Sequence, residues 1–356
     1  MTSPSAPPQT FPFLVNQPPH PRSFGQTVAL FRLLNFALAP TPIPSLARII
    51  PTRARNPSMK PRRHPFPDKM SHMDRRYFLQ AGATFALAHG VLRAAPKWAK
   101  APVGLELYSV REDFAKDMPG TLKVVAKAGY QGVEMWGPYA DWTIDKAKEF
   151  KKIVNDLGMK VLSTHTGAKF FADDQLGKVA ELNGILETRF MIMSSAGPVK
   201  GLDGWKEVAA KLNKAAEKLK PMGKRTGFHN HALEFTPLEG TRPIEVLAKE
   251  TGKDVVLQLD VGTCIAAGSD PVAWINANPG RFGTLHLKDW KSGGKDVREG
   301  YRCLFGEGDA KWKEIFDAAA KKGGLEHLLI EQEGSTYTPF ETIEKCYVNF
   351  KKLRDS

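Results

Sequence analysis

From Pro102 onward the chain alternates between two hydrophobic periods. Short runs rich in β-branched, aromatic and leucine residues begin near Val103 (VGLELY), Gln131 (QGVEMW), Met159 (MKVLSTH) and Arg189 (RFMIMS). Four more begin near Arg225 (RTGFHNH), Asp254 (DVVLQLD), Phe282 (FGTLHLKD) and Glu326 (EHLLIEQ). Between them apolar residues recur at helical spacing. Over 121–128, Leu122, Val125 and Ala126 share one face ahead of Gly129. Over 143–157, Ile144, Ala147, Phe150, Ile153, Val154 and Leu157 do so ahead of Gly158, and 205–219 and 312–320 follow the same scheme. Strands separated by helices cannot pair as hairpins, so they join a parallel sheet through right-handed crossovers. Eight such units over residues 101–356 predict an α/β fold, a (β/α)8 TIM barrel, which typically takes about 250 residues. A doubly wound sheet would need a glycine-rich phosphate turn after its first strand. Leu105-Glu106-Leu107-Tyr108-Ser109-Val110-Arg111 offers none, and Gly306-Glu307-Gly308 follows a late strand.

The first hundred residues read differently. Fifteen of the 26 prolines lie within residues 1–69, a density that removes backbone donors and blocks helix interiors, so 1–72 are expected to be a disordered Pro-rich extension. The apolar piece 28–38 contains Arg32 and Asn35 and is too short to span a bilayer. Met73-Asp74-Arg75-Arg76-Tyr77-Phe78-Leu79-Gln80 is followed by twelve mostly small or apolar residues, 81–92, with no formal charge. Paired arginines followed by Phe-Leu and a mildly apolar stretch resemble a bacterial twin-arginine export signal, placed at 73–95. That reading brings the twin-arginine translocon as a partner and a periplasmic or extracellular destination. It also places the start of translation at Met70 or Met73, and the barrel at 101–353.

Charge then sharpens the picture. The chain carries 51 Lys and Arg against 38 Asp and Glu, a net of +13. Residues 1–100 hold 14 of those bases and 2 of the acids, whereas 101–356 hold 37 and 36. The barrel is therefore nearly neutral. Nucleic acid as a partner is not expected, because phosphate contacts dominate such affinity, and neither is stable insertion in a membrane. Cys264, Cys303 and Cys346 show no paired spacing and read as small buried apolar residues rather than a disulfide framework.

In a barrel the chemistry sits where strands end, and here the ends carry ligand-type side chains. The second ends in Glu134-Met135-Trp136 and the third in Thr164-His165-Thr166. The fifth ends in His229-Asn230-His231, the sixth in Asp260, the seventh in His286 with Lys288-Asp289, and the eighth in Glu331-Gln332-Glu333. A lone strand histidine is more often a hydrogen-bonded core residue, and a lone carboxylate after an apolar run often caps the next helix. Four successive strands delivering imidazole, carboxylate, imidazole and carboxylate to one rim form a cluster that is expensive to bury unless a cation compensates it. One divalent metal is expected, with Mn²⁺ first and Zn²⁺, Co²⁺, Fe²⁺ or Mg²⁺ also compatible with mixed nitrogen and oxygen donors.

At this point the chain resembles a known family. Gly104-Leu105-Glu106-Leu107-Tyr108-Ser109-Val110-Arg111, Gly129-Tyr130-Gln131-Gly132-Val133-Glu134, Phe228-His229-Asn230-His231, Leu259-Asp260-Val261-Gly262, His286-Leu287-Lys288-Asp289 and Ile330-Glu331-Gln332 are similar to motifs of the xylose isomerase-like TIM barrels. That superfamily includes sugar and sugar-phosphate isomerases and epimerases, inosose dehydratases and endonuclease IV. The resemblance implies a metal held by the ends of strands five to eight, here His229, Asp260, His286 and Glu331. The first position departs from the pattern, since many members read Glu-Asn-His where this chain has His229-Asn230-His231. The implied activity is sugar isomerisation or epimerisation through a metal-stabilised enediolate. Glu331 is the expected ligand and base, and His229 or Glu134 its partner acid. His229 is expected to serve either as a ligand only or as the second base; alternatively Glu234, three residues past His231, swings in. His165, His231, Lys288 and Trp136 are the expected substrate contacts, and Trp290 is a further stacking candidate.

The same constellation supports elimination, as in a 3-keto-glycoside lyase or hydratase or an inosose-type dehydratase, and an exported protein meets glycosides more often than sugar phosphates. A repair nuclease needs about three metals and a basic face, which this barrel does not offer. A non-catalytic periplasmic sugar-binding protein is the remaining alternative. The resemblance also brings in a homodimer, common among such barrels.

Overall fold

The computed structural model describes residues 97–356. The Pro-rich extension at 1–72 and the export segment at 73–95 lie outside the described residues. Eight parallel strands form one closed barrel in chain order: β1 (Val103–Glu106), β2 (Gly132–Met135), β3 (Lys160–Gly167), β4 (Phe190–Ser195), β5 (Arg225–His229), β6 (Val256–Asp260), β7 (Thr284–Leu287) and β8 (His327–Ile330). β8 pairs back onto β1 with Val103 opposite Leu328, so no strand edge is left open. The expected (β/α)8 fold is the fold found.

Eight principal helices alternate with the strands: α1 (Met118–Ala128), α2 (Ile144–Asp156), α3 (Asp173–Ile185), α4 (Gly201–Leu219), α5 (Pro243–Glu250), α6 (Pro271–Ala277), α7 (Trp312–Ala318) and α8 (Pro339–Asp355). Their ends follow local chemistry. The Asp117 carboxylate accepts from Gly120 N at 2.9 Å and opens α1, and Gly129 closes it at φ +109°. Thr143 opens α2 by accepting from Lys146 N, and Thr338 with Glu341 forms a reciprocal capping box on α8. α4 starts at Gly201, ahead of the expected Trp205, because glycines at 201 and 204 carry no hydrophobic period to read. α7 stops at Ala318 and continues as a widened turn over Ala319–Gly323. That turn aims the carbonyls of Lys322 and Gly323 at the backbone N–H groups of Gly280 and Phe282, 2.8 Å away in each case, which ties the helix to the entry of β7.

The main apolar core lies between sheet and helices, while Phe190, Ile192 and Val256 form a separate small cluster. Between β2 and β3 the register slips, so that Val133 faces Val161 but Glu134 faces Ser163. Leu162 is the extra residue, and it packs against Gly104 and Gly132. A Cβ on Gly132 would stand 2.6 Å from Leu162 Cγ. The slip resets the alternation of β3, and Ser163 and His165 follow on the face that Glu134 occupies. Among the described residues no helix is long and apolar enough to cross a membrane.

At the start of β8, His327 is buried edge-on against Phe190, their ring centroids 4.9 Å apart, and its Nε2 has no hydrogen-bond partner. Burial pushes its pKa down to about 4. The unfolded chain therefore takes up a proton below about pH 6.5 that the folded ring refuses until about pH 4, and stability falls across that window. Between pH 7 and pH 5, wild-type protein is expected to lose about 2 kcal/mol more than a His327→Leu variant. Urea unfolding at the two pH values measures the difference, and equal losses would exclude this origin.

Candidate active site

The strands are buried on both faces, so a polar side chain in one of them must find its partner inside the protein. At the carboxyl ends of β5 to β8 the inward positions are His229, Asp260, His286 and, one residue past β8, Glu331. Their donor atoms all lie within 4.8 Å of one another. His286 Nδ1 is 2.9 Å from Glu331 Oε2, and its Nε2 is 2.5 Å from Glu134 Oε2. Asp260 Oδ1 accepts from Thr263 N at 2.8 Å, which also opens the short helix Val261–Ala266. Asn230 locks the two loops together: its Oδ1 accepts from Asp260 N and its Nδ2 donates to Thr263 Oγ1. Asp260 Oδ2 is fully buried with no hydrogen-bond partner.

Lys288, nearly buried, brings its ammonium 3.7 Å from Asp260 Oδ2 and 3.4 Å from Glu331 Oε2, and it donates to Glu333. The next residue, Asp289, does structural work. Its carboxylate accepts from Trp290 N, Gly306 N, Gly308 N and Trp312 Nε1, and so closes the foot of the loop between β7 and α7. Trp290 is held within that loop, its Nε1 donating to Val297 O.

These groups cannot all be charged. Burial opposes a charge on His286, but Glu134 and Glu331 outweigh it and raise the ring to about 10. Burial likewise pushes both carboxylates up, yet His165 and His286 hold Glu134, and Lys288 and His286 hold Glu331, well below the usual range. His165 and His229 move the other way, driven down by burial, with neighbouring His286 adding to the effect. Among three imidazoles with centroids 4.4 to 4.9 Å apart, the surroundings thus favour charge on His286 and disfavour it on the other two. Asp260 and Glu106 are pushed up by burial. Glu106, at the end of β1, has both carboxylate oxygens buried without a partner, and its pKa is raised well above normal.

Above this cluster opens a cavity of about 490 Å³. His165, His229, His231, Glu331 and Trp136 line it, as do Glu106, Tyr108, Leu233, Glu234 and Glu333. The sequence-derived candidates thus gather in two layers. His229, Asp260, His286 and Glu331 form the quartet, and Trp136, His165 and His231 stand on the cavity wall. Glu134 is fully buried and does not line the cavity; it contacts His286, His165 and Gln258. Glu234 accepts from His231 N at 2.7 Å as part of a capping box on Ala232–Phe235, and does not belong to the quartet. Two members of the site were not picked out from sequence, Glu106 and Gln258. Each is a polar residue between two leucines in a strand, Leu105-Glu106-Leu107 and Leu257-Gln258-Leu259, and that signal is readable.

The quartet fits a divalent cation, which would take the place of the proton on His286 Nδ1. It offers two imidazoles and two carboxylates, and one carboxylate oxygen, Asp260 Oδ2, accepts no hydrogen bond among the described residues. The contact from Glu134 to the far nitrogen of His286 matches the carboxylate–imidazole arrangement that orients metal-binding histidines.

A family model described as xylose isomerase-like TIM barrel matches residues 122–345. An inosose dehydratase from Clostridium tetani (strain Massachusetts / E88) is 27% identical over 149 residues, which is 38% of this chain and 49% of the relative. An inosose dehydratase from Clostridium beijerinckii is 27% identical over 157 residues, 40% and 52% respectively. The chain thus spans about half the length of these curated relatives. The crystal structure of a sugar phosphate isomerase/epimerase from Parabacteroides distasonis superposes with a TM-score of 0.60 at 28% identity, covering 73% of this chain and 95% of that one.

Titrating Mn²⁺ into metal-free protein is expected to give one binding event that depends on the quartet. Asp260→Ala should remove it, and Glu134→Gln should weaken it by about 10- to 100-fold through loss of the contact to His286. Calorimetry reads both, and an Asp260→Ala protein that binds like wild type would move the site elsewhere.

Proposed function

The chain belongs to the xylose isomerase-like TIM barrel family, and from that premise we propose that it is a metal-dependent sugar isomerase or epimerase. The observation that carries the reading is the buried quartet, one member of which, Glu331, is held ionised and also lines the cavity. His229, Asp260, His286 and Glu331 would hold the cation. Bound there, a divalent metal supplies Lewis-acid polarisation of a substrate carbonyl and offsets the negative charge that develops on its oxygen.

The remaining work falls to the chain's own residues. Glu331 is ionised and lines the cavity, so it accepts the proton from the carbon next to the carbonyl. Returning that proton to the neighbouring carbon from the same face, while the hydroxyl proton passes from one oxygen to the other, gives an isomerase. Returning a proton to the original carbon from the opposite face gives an epimerase and requires a second group on the wall. Glu134, sealed beneath the cavity, orients His286 rather than meeting substrate. Lys288 balances Asp260, Glu331 and Glu333 and holds a positive charge near the developing oxyanion. Trp136, Tyr108 and Leu233 give the cavity an apolar side suited to the face of a sugar ring, while His165 and His231 meet its hydroxyls. The twin-arginine reading of residues 73–95 goes with this proposal and gives the substrate a periplasmic or extracellular setting.

A second reading, elimination of water or of a glycosidic group, is favoured by Glu106. Glu106 lies at the cavity, and burial raises its carboxyl well above the usual range, which favours the acid form that can give a proton to a departing oxygen. The dehydratase names of the two curated relatives point the same way.

Sugars and 3-keto-glycosides incubated with the Mn²⁺-loaded protein in D₂O should take up deuterium next to the carbonyl, as read by NMR. Glu331→Gln is expected to abolish this exchange with the circular dichroism spectrum unchanged, and exchange that survives the substitution would defeat the proposal. Glu106→Gln separates the two readings. An isomerase keeps its turnover, whereas an eliminating enzyme keeps deuterium exchange but loses about 100-fold or more in product formation.

A further inference from the structure

Gln258 lies on β6, two residues below Asp260 and buried among groups that each demand something of it. Its Nε2 donates to Glu134 Oε1 at 2.9 Å and lies 3.3 Å from Thr284 Oγ1. Its Oε1 is 2.6 Å from His165 Nε2 and 3.1 Å from His229 Nδ1. The amide can sit only one way round. Glu134 is surrounded by donors, with His286 Nε2 at 2.5 Å and His165 Nε2 at 3.3 Å from its other oxygen, so it acts as an acceptor and calls for the NH₂ group. The carbonyl oxygen is then left facing two rings, and an oxygen can only accept.

We infer that Gln258 is a positioning residue that sets the tautomers of two histidines at once, fixing His165 as the Nε2–H form and His229 as the Nδ1–H form. The nitrogens left with a bare lone pair are His229 Nε2 and His165 Nδ1. His229 therefore has a single atom, Nε2, to offer either a cation or a substrate proton, and it cannot serve both. With a cation in the quartet His229 is a ligand and not the second proton carrier, a consequence that rests on the function proposed above, although the tautomers themselves do not. No other side chain of this size meets the demands. A glutamate at 258 would set a second carboxylate against Glu134, and a leucine would leave Glu134 Oε1 and two ring N–H groups buried without this partner.

Long-range ¹H–¹⁵N spectra of metal-free, full-length protein labelled with ¹⁵N-histidine distinguish the tautomers directly, with His165→Phe and His229→Phe used for assignment. Wild-type protein should show His229 protonated at Nδ1 and His165 at Nε2. His229 found at Nε2–H would overturn the inference without any variant being made. In Gln258→Leu the His229 signal should leave the Nδ1–H position, and Mn²⁺ affinity should fall about 10- to 100-fold. An unchanged His229 tautomer in that variant would also overturn it. Because the spectra are read on metal-free protein without substrate, they decide the tautomers whether or not the protein turns over a sugar.

Discussion

His286 lies clasped between the carboxylates of Glu134 and Glu331, and the rest of the catalytic end is arranged around that contact. A fully buried imidazolium is stable only where opposite charges repay its desolvation, and in return it helps keep those carboxylates ionised, beside His165 at Glu134 and Lys288 at Glu331. The positive charge on this ring adds to burial in discouraging charge on His165, which stacks on it, and on His229, which lies tilted beside it. Lys288 provides the second cation, and Asp260 keeps one oxygen without a hydrogen bond. The cluster resembles a lattice of alternating charges with one position prepared for a small cation.

The barrel was legible because both of its periods are strong. The eight strands begin within two residues of the positions read from hydrophobic runs, since each follows a polar or glycine-containing turn that marks its start. Helix limits marked by Gly129 and Thr143 were legible for the same reason. What could not be read were features that depend on two strands at once. The slip between β2 and β3 is a matter of register, and no single segment records it. α4 began early because Gly201 and Gly204 are silent in a hydrophobic pattern.

The quartet was accessible from sequence through its residue types and its place at successive strand ends. Glu134 shows the limit of that approach. It ends a strand as the ligands do, but it lies deeper, and only three-dimensional contacts reveal that it serves His286. Glu106 and Gln258 are hidden for the opposite reason, because each sits within an apolar run that reads as an ordinary buried strand. A polar residue flanked by two leucines in a strand buried on both faces is a stronger signal than a polar residue at a strand end, where solvent and helix caps offer ordinary explanations.

Asp289 closes the loop between β7 and α7 at its foot, gathering backbone groups from Gly306 and Gly308 together with the Trp312 indole. The mechanical effect is to fasten both ends of the excursion at one point, while its middle, through Tyr301, meets Lys288 and the Gln332 side chain. Removing that single carboxylate would therefore free the loop at both ends at once, and through Tyr301 the loss would reach the charged floor of the site.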